Sequence, residues 1–206
     1  MSQFPPTAIF RTRLLLLTAS LLSSCARGAT PEVPDQSTVA DVAPQAVGEQ
    51  EDRLEVLLVF VGASWCAGIT SPELADAVNR FRHTLSNAAD AEGVRLRVVG
   101  ISLDHDPEDG IRTLARFKPF DEILAGGNWV NIGAFHYIWE RLPGSASVPQ
   151  IIVTSRRISQ GRSGISYGDE EVLMRVIGAD DIVKWSHSRR LQGLLPRAKT
   201  TTPSIG

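Results

Sequence analysis

The segment Leu54–Cys66 (LEVLLVFVGASWC) decides the fold. Its first seven residues, Leu54–Phe60, form an almost uninterrupted apolar run, which is typical of a strand buried inside a sheet. A helix reaching to about Asn87 follows, because Ser71-Pro72-Glu73 is a first-turn signal and apolar residues then recur at helical spacing. Leu96–Leu103 is a second buried strand. Two strands joined by a helix predict a parallel crossover.

The rest of the core continues the alternation of helices and strands. The predicted elements are a helix over Asp106–Phe117, a helix over Asn131–Glu140, strands over Gln150–Ser155 and Glu171–Ile177, an enlarged hairpin loop over Ser159–Gly168, and a helix over Asp180–Leu191 with Ile182, Trp185 and His187 on or near its buried face. This order predicts an α/β sandwich, with a central mixed β-sheet flanked by helices.

Composition limits the class of protein. The chain has 206 residues, of which 43% are hydrophobic and 21% charged, and this excludes a collagen-like or wholly disordered chain. The formal charge of −2 gives no reason to expect a nucleic-acid partner. The two cysteines, Cys25 and Cys66, are too few for a disulfide framework or a zinc site of several thiolates.

Residues 1–25 have the features of an export signal. Arg11 and Arg13 flank the apolar run Leu14–Leu22, which is too short to span a bilayer. The following Leu22-Ser23-Ser24-Cys25 resembles a lipobox, the cleavage site of bacterial lipoproteins, which implies lipidation of Cys25 and an anchor in the bacterial cell envelope. Ala26 is not the aspartate that resembles an inner-membrane retention signal, so the outer membrane is expected if the host has one. An ordinary secretory signal with an incidental cysteine is the alternative.

The remaining chain divides into three parts. Residues 26–53 are rich in Pro, Ala, Gln and acids without a helical or strand period, and we predict a disordered acidic tether. Residues 54–191 form the predicted domain, and residues 192–206 a disordered tail. Removing the signal removes two basic residues and no acid, so 19 basic and 23 acidic residues remain, a formal charge of −4.

The domain resembles the thioredoxin fold, nearest to the anchored TlpA/ResA-type thiol–disulfide proteins. The resemblance rests on Ala63-Ser64-Trp65-Cys66 after a buried strand, on Val148-Pro149 directly before a later strand, and on the strand ending Val99–Asp104. It implies that Pro149 is cis and packs beside the Cys66 sulfur. The helix is expected to follow the loop Val61–Trp65 directly, so that Cys66 opens it, and backbone N–H groups and the helix dipole are then expected to favour its thiolate.

This sequence departs from the family at its central motif. The family has Cys-x-x-Cys, whereas this chain has Cys66-Ala67-Gly68-Ile69, so no intramolecular disulfide can form after Cys25 is lipidated. Phe60 also stands where many thioredoxins hold a buried carboxylate. The prediction is therefore monothiol exchange, in which Cys66 reacts and an external thiol resolves the adduct. Trp65, Val148 and Pro149 would shape the substrate groove.

Other functions remain open. The same groove could serve a non-enzymatic binding module, which the loss of the second cysteine favours. Residues Ala63–Thr70 faintly resemble the Ala-Ser-x-Cys-Gly-x-Thr segment of glutathione peroxidases, which would imply a thiol peroxidase. The four histidines are scattered and do not predict a metal site, and no cofactor is implied. The aromatic-rich insert over residues 118–147 is either core or a partner-binding lid. We expect a monomer whose partner is an exported protein or a small thiol or disulfide.

Overall fold

The computed structural model describes residues 51–161 and 164–195. Strands β1 to β6 span Glu51–Gly62, Arg95–Ser102, Glu122–Leu124, Gln150–Gly161, Gly164–Tyr167 and Glu171–Ile177. Helices α1 to α4 span Pro72–Glu92, Pro107–Leu114, Ile132–Ala134 and Ala179–Ser186. Helix α3 continues into a π-helical turn at Phe135–Trp139, and 3₁₀ turns occur at Asn128–Val130 and Arg189–Gly193.

The strands form one mixed sheet in the order β3-β2-β1-β4-β5, with β6 also paired to β4. Strands β1, β2 and β3 are parallel, and β4 runs antiparallel to β1, β5 and β6. The first half of β4 pairs with β6 and its second half with β5. The predicted α/β sandwich, with its central mixed sheet flanked by helices, is confirmed.

Alternate residues of β1 point into two separate cores. Val56, Leu58 and Phe60 pack with α1 and α4 on one face, where Phe60 also contacts the ring of Phe117 at a centroid distance of 4.4 Å. The opposite face packs against α3 and the π-helical turn, from which Ala134, Tyr137 and Ile138 are buried. The continuous apolar run of β1 follows from this double burial.

A buried ion pair joins β1 to β4 outside these two cores. Arg156 donates from Nε and Nη2 to Oε2 of Glu55, at 2.9 and 2.7 Å. Glu55 is fully buried, and its other oxygen lies 3.6 Å from Nε of Arg95. Such a pair is costly to break because a buried carboxylate would be left without its partner.

Several element boundaries differ from the sequence-based predictions. Strand β1 begins at Glu51 rather than Leu54, and α1 continues to Glu92. The stretch Ser159–Gly168 is not a hairpin loop: β4 extends to Gly161, and β5 pairs with it from Gly164. The end of β4 and β5 are held together by antiparallel backbone pairing. Because β5 is exposed, its sequence has no alternation of apolar and polar residues that would predict a strand.

Two further differences concern strand β3 and the last helix. Strand β3 has only three residues and was not predicted. Helix α4 ends at Ser186, which is buried, whereas the predicted inward-facing His187 is exposed because the chain leaves the helix there. Ile182 is buried as expected.

The predicted signal and Cys25, most of the tether, and the tail from residue 196 lie outside the described residues. Among the helices that are described, none is both long enough and apolar enough to cross a membrane.

Candidate functional site

Cys66 lies in a turn between β1 and α1. The chain forms consecutive turns over residues 64–70, and α1 begins only at Pro72, with Ser71 as its N-cap residue. Gly68 has φ +79°, a conformation that favours glycine, and a Cβ there would lie 3.0 Å from the Cβ of Ala179. The prediction that Cys66 opens the helix is therefore wrong, because five residues separate Cys66 from Pro72 along the chain and the thiol's hydrogen-bond partners are backbone oxygens.

The Cys66 thiol contacts the segment before β4, as the resemblance implied. Its Sγ donates to the carbonyl oxygen of Val148 at 2.7 Å, and the Val148-Pro149 peptide bond is cis. Cys66 is half-buried and forms no disulfide. Burial raises the pKa of the Cys66 thiol above its ordinary value. The expected stabilisation of the thiolate is thus contradicted, because a buried sulfur that donates its proton to a carbonyl favours the neutral thiol.

Asp104 holds the loop that carries Trp65 and Cys66. Its carboxylate accepts from the backbone N–H of Ser64 at 3.0 Å, from the Ser64 hydroxyl at 2.6 Å, and from the Ser102 hydroxyl at 2.7 Å. Burial acts to raise the pKa of Asp104, but these hydrogen bonds outweigh it, so the pKa lies below its ordinary value. From the sequence, Asp104 was recognised only as the end of a strand. Its position directly after a buried strand was the available signal.

Ile69 is part of the core, at the position where the family has its second cysteine. The side chain is 3% exposed and belongs to the cluster under α1 and α4. It lies so close to β1 that a Cβ at Gly62 would fall 2.9 Å from its Cδ1 atom. The position at which those proteins have a resolving cysteine is therefore filled by an apolar core side chain.

Three tryptophans form a series of ring contacts that begins at Trp65, the residue before Cys66. The ring centroids of Trp65 and Trp129 are 6.2 Å apart, and those of Trp129 and Trp139 are 5.8 Å apart. The indole N–H of Trp139 donates to the backbone oxygen of Trp129 at 3.0 Å. We call these three tryptophans the tryptophan face.

The aromatic insert predicted over residues 118–147 is divided between core and surface. Tyr137 and Ile138 are core residues, while Trp139 is 43% exposed and Trp65 is 55% exposed. The π-helical turn produces this division, because it carries buried and exposed side chains within five residues. Turns of this kind often occur at functional sites.

Within residues 51–161 and 164–195, no group of three or more His, Cys, Asp or Glu side chains could hold a metal ion. His105 is exposed in the loop after β2, and His136 contacts Glu170 at 3.0 Å. The contact between His136 and Glu170 was not predicted from the sequence. Glu170 also accepts from the hydroxyl of Thr154 at 2.5 Å, so this polar cluster ties the π-helical turn to the sheet.

No protein-family model matches the chain, and no curated protein matches it. Two solved structures are similar to it in part. One is the solution structure of the apo Sco1 protein from Thermus thermophilus, at 18% identity over 68% of this chain and 80% of that chain, with a TM-score of 0.37. The other is BsSco, a member of the Sco family of cytochrome c oxidase assembly proteins in which a disulfide switch was identified, at 17% identity over 68% and 82% of the chains, with a TM-score of 0.32.

Proposed function

We propose that this protein is a monothiol exchange protein of the bacterial cell envelope, in which Cys66 forms a mixed disulfide with a docked partner. The observation that carries the proposal is the position of Cys66: half-buried, against Val148, and next to the exposed tryptophan face. The proposal includes lipidation of Cys25, which would keep the domain at a membrane surface. Trp65, Val148 and Pro149 would line the groove for the partner.

The exchange proceeds in two balanced steps. The Cys66 thiolate attacks one sulfur of a partner disulfide, forming a Cys66–partner disulfide and releasing the other partner sulfur as a thiolate that takes up a proton. An external thiol then attacks the mixed disulfide, releases Cys66 and leaves the partner joined to that thiol. The described domain has no second cysteine, so resolution depends on the external thiol.

The raised pKa of Cys66 makes both steps slow at neutral pH. The attacking species is the thiolate, and less of it is present than in a free cysteine. A thiol of high pKa is also a poor leaving group, so the mixed disulfide would be long-lived. These two effects suit a protein that retains its partner rather than one that turns over rapidly.

A non-enzymatic binding module is the second candidate. It is favoured by the hydrogen bond from the thiol to Val148, which keeps the proton on sulfur, and by the buried Ile69 in place of a resolving cysteine. In this case the tryptophan face would bind the partner, and Cys66 would contribute only packing.

The two candidates are separated by mass spectrometry on the chain without residues 1–25, in which Cys66 is the only cysteine. Incubation with a small aromatic disulfide at pH 8 should add one half of the reagent, and glutathione should then remove it. Cys66→Ser is the matched control and should gain nothing. If the wild-type chain gains no adduct at pH 8 or at pH 9, exchange is excluded and the binding module is retained.

A further inference from the structure

Arg175 of β6 holds the loop that leads from the π-helical turn to β4. Its side chain donates from Nη1 to the backbone oxygen of Tyr137 at 2.9 Å and from Nη2 to that of Leu142 at 2.8 Å. Because the donor is charged, each of these bonds is stronger than a bond between neutral groups. A Cβ at Gly144 would displace the guanidinium group, so glycine at this position keeps Arg175 in place across the loop.

Gln150, the first residue of β4, connects Arg175 to the chain that precedes the strand. It is fully buried, and its Oε1 accepts from Nη1 of Arg175 at 3.3 Å. Its Nε2 donates to the backbone oxygen of Ser145 at 2.7 Å and to that of Ser147. The orientation of this amide is fixed, because turning it would leave buried polar groups without hydrogen bonds.

The carbonyl group that accepts from the thiol lies between two carbonyl groups that are held by hydrogen bonds. The accepting oxygen belongs to Val148 and lies 2.7 Å from the sulfur. On one side of it, the oxygen of Ser147 accepts from Gln150. On the other side, the oxygen of Pro149 accepts from the backbone N–H of Gly178 at 2.8 Å. The position of the accepting oxygen therefore depends on the buried amide, and so on the arginine that bonds to it.

We infer, resting on the proposed exchange function, that Arg175 is a positioning residue of the thiol site. Acting through Gln150, it holds the Val148 oxygen where that oxygen keeps the proton on sulfur. Loosening this arrangement would take the acceptor away from the thiol and admit water to it, and both changes favour the thiolate. Arg175 thus sets how slowly the thiol reacts, although its own hydrogen bonds go to oxygens.

The charged groups around the Cys66 loop do not change in the test of this inference. They are Glu73 at the start of α1, Asp104 after β2, Arg116 after α2, and Asp180, Asp181 and Lys184 in α4. Among the described residues, the sulfur itself has backbone oxygens as its hydrogen-bond partners. Burial is what raises the pKa of the thiol, so access of water and the position of the acceptor are the quantities to alter.

The test measures the rate of alkylation by iodoacetamide against pH in the full chain with Cys25→Ser, in which Cys66 is the only cysteine. Arg175→Lys keeps the charge but loses the planar group that bonds to three oxygens at once. Gln150→Met keeps the length of the side chain and removes its donors. Each variant should lower the midpoint by about half to one pH unit, which raises the rate at pH 7 about three- to tenfold. Arg175→Met should act in the same direction, whereas loss of a nearby positive charge by itself would raise the midpoint.

Two controls separate positioning from a general loss of stability. Leu85→Ala truncates a fully buried side chain in the half of α1 farther along the chain from Cys66. Arg112→Lys is the matched change at an exposed arginine of α2. Both should leave the midpoint unchanged. Deuterium exchange followed by mass spectrometry should be faster over residues 142–148 in the Arg175 and Gln150 variants, and not in the controls.

A midpoint that stays at the wild-type value or rises, in either Arg175→Lys or Gln150→Met, overturns the inference even if the loop exchanges faster. A midpoint that falls equally in Leu85→Ala also overturns it, because the effect would then follow from lost stability. Neither result bears on the exchange function. That function fails instead if the wild-type thiol is alkylated but gains no adduct from the aromatic disulfide.

Discussion

Replacing Ile69 by cysteine would create a Cys-x-x-Cys motif at a cost in stability that can be worked out from the structure. The change replaces three carbon atoms by one sulfur, a net loss of two heavy atoms, in a side chain that is 3% exposed. At about 0.8 kcal/mol per buried methylene, with a further cost for the cavity left behind, the free energy of unfolding should fall by about 2–3 kcal/mol. Ile111→Cys is the matched control, because Ile111 is 52% exposed on α2 and should lose less than about 0.5 kcal/mol.

The assay is urea unfolding at pH 7 under reducing conditions, followed by tryptophan fluorescence and analysed by linear extrapolation. Reduction keeps any disulfide between Cys66 and the introduced thiol from adding stability of its own. If Ile69→Cys loses no more than Ile111→Cys, the reasoning that Ile69 is held by core packing is refuted. A loss in the expected range would mean that returning to a dithiol site requires repacking around Gly62 as well.

Three other predictions concern ionisable groups. Because burial raises the pKa of Cys66, the folded protein holds the thiol proton more tightly than the unfolded chain does. The contribution of this proton to stability is complete below the ordinary cysteine pKa and is lost as pH rises through the pKa of the folded state. The rate of Cys66 alkylation against pH should therefore have its midpoint above about 8.5. Asp104→Asn should lower the free energy of unfolding by about 1–3 kcal/mol at pH 7, because the hydrogen bonds from Ser64 are lost or weakened. Since the pKa of Asp104 is lowered in the folded state, urea unfolding should show this difference between variant and wild type becoming smaller below about pH 4. Arg156→Leu should lower the free energy of unfolding by about 3–5 kcal/mol, because buried Glu55 loses its hydrogen-bonded partner. In thermal unfolding, the double variant Glu55→Leu, Arg156→Leu should lie closer to wild type than the single variant does. A single variant that unfolds like wild type would contradict the claim that the buried carboxylate needs Arg156.

The elements that sequence analysis predicted well are those with a simple physical signature. Strands β1, β2 and β4 are apolar runs because they are central in the sheet, with neighbours on both edges. Helix α1 was predicted because its buried residues recur along one face. Strand β3 has three residues and β5 four, all exposed in β5, so neither carries a pattern that local sequence can reveal.

The sequence did contain the information that Cys66 is outside the helix. Ser71 and Pro72 were recognised as the start of α1, and they lie after Cys66 in the chain. The helix was nevertheless predicted to follow the loop Val61–Trp65 directly, and the first-turn signal at Ser71 and Pro72 was the better indication of where it begins. The positive φ of Gly68 allows the turn that makes this separation possible.

The tryptophan face could not have been predicted from sequence. Trp65 lies far along the chain from Trp129, and no spacing rule connects them. The contact between Trp129 and Trp139 arises from the π-helical turn, whose geometry differs from the helix predicted over Asn131–Glu140. Likewise, one partner of Asp104, Ser64, lies in a loop 40 residues earlier in the chain.

The central position of β4 determines the order in which this chain can fold. One edge of β1 is completed early by β2, but its other edge waits for β4, and the Glu55–Arg156 contact joins residues 101 positions apart. Closing so long a loop is slow, and until it closes the apolar edge of β1 is open to pairing with other chains. A nascent chain that stops before Gln150 therefore lacks the strand that covers one edge of β1. Its exposure to aggregation during synthesis depends on how quickly the last third of the domain follows.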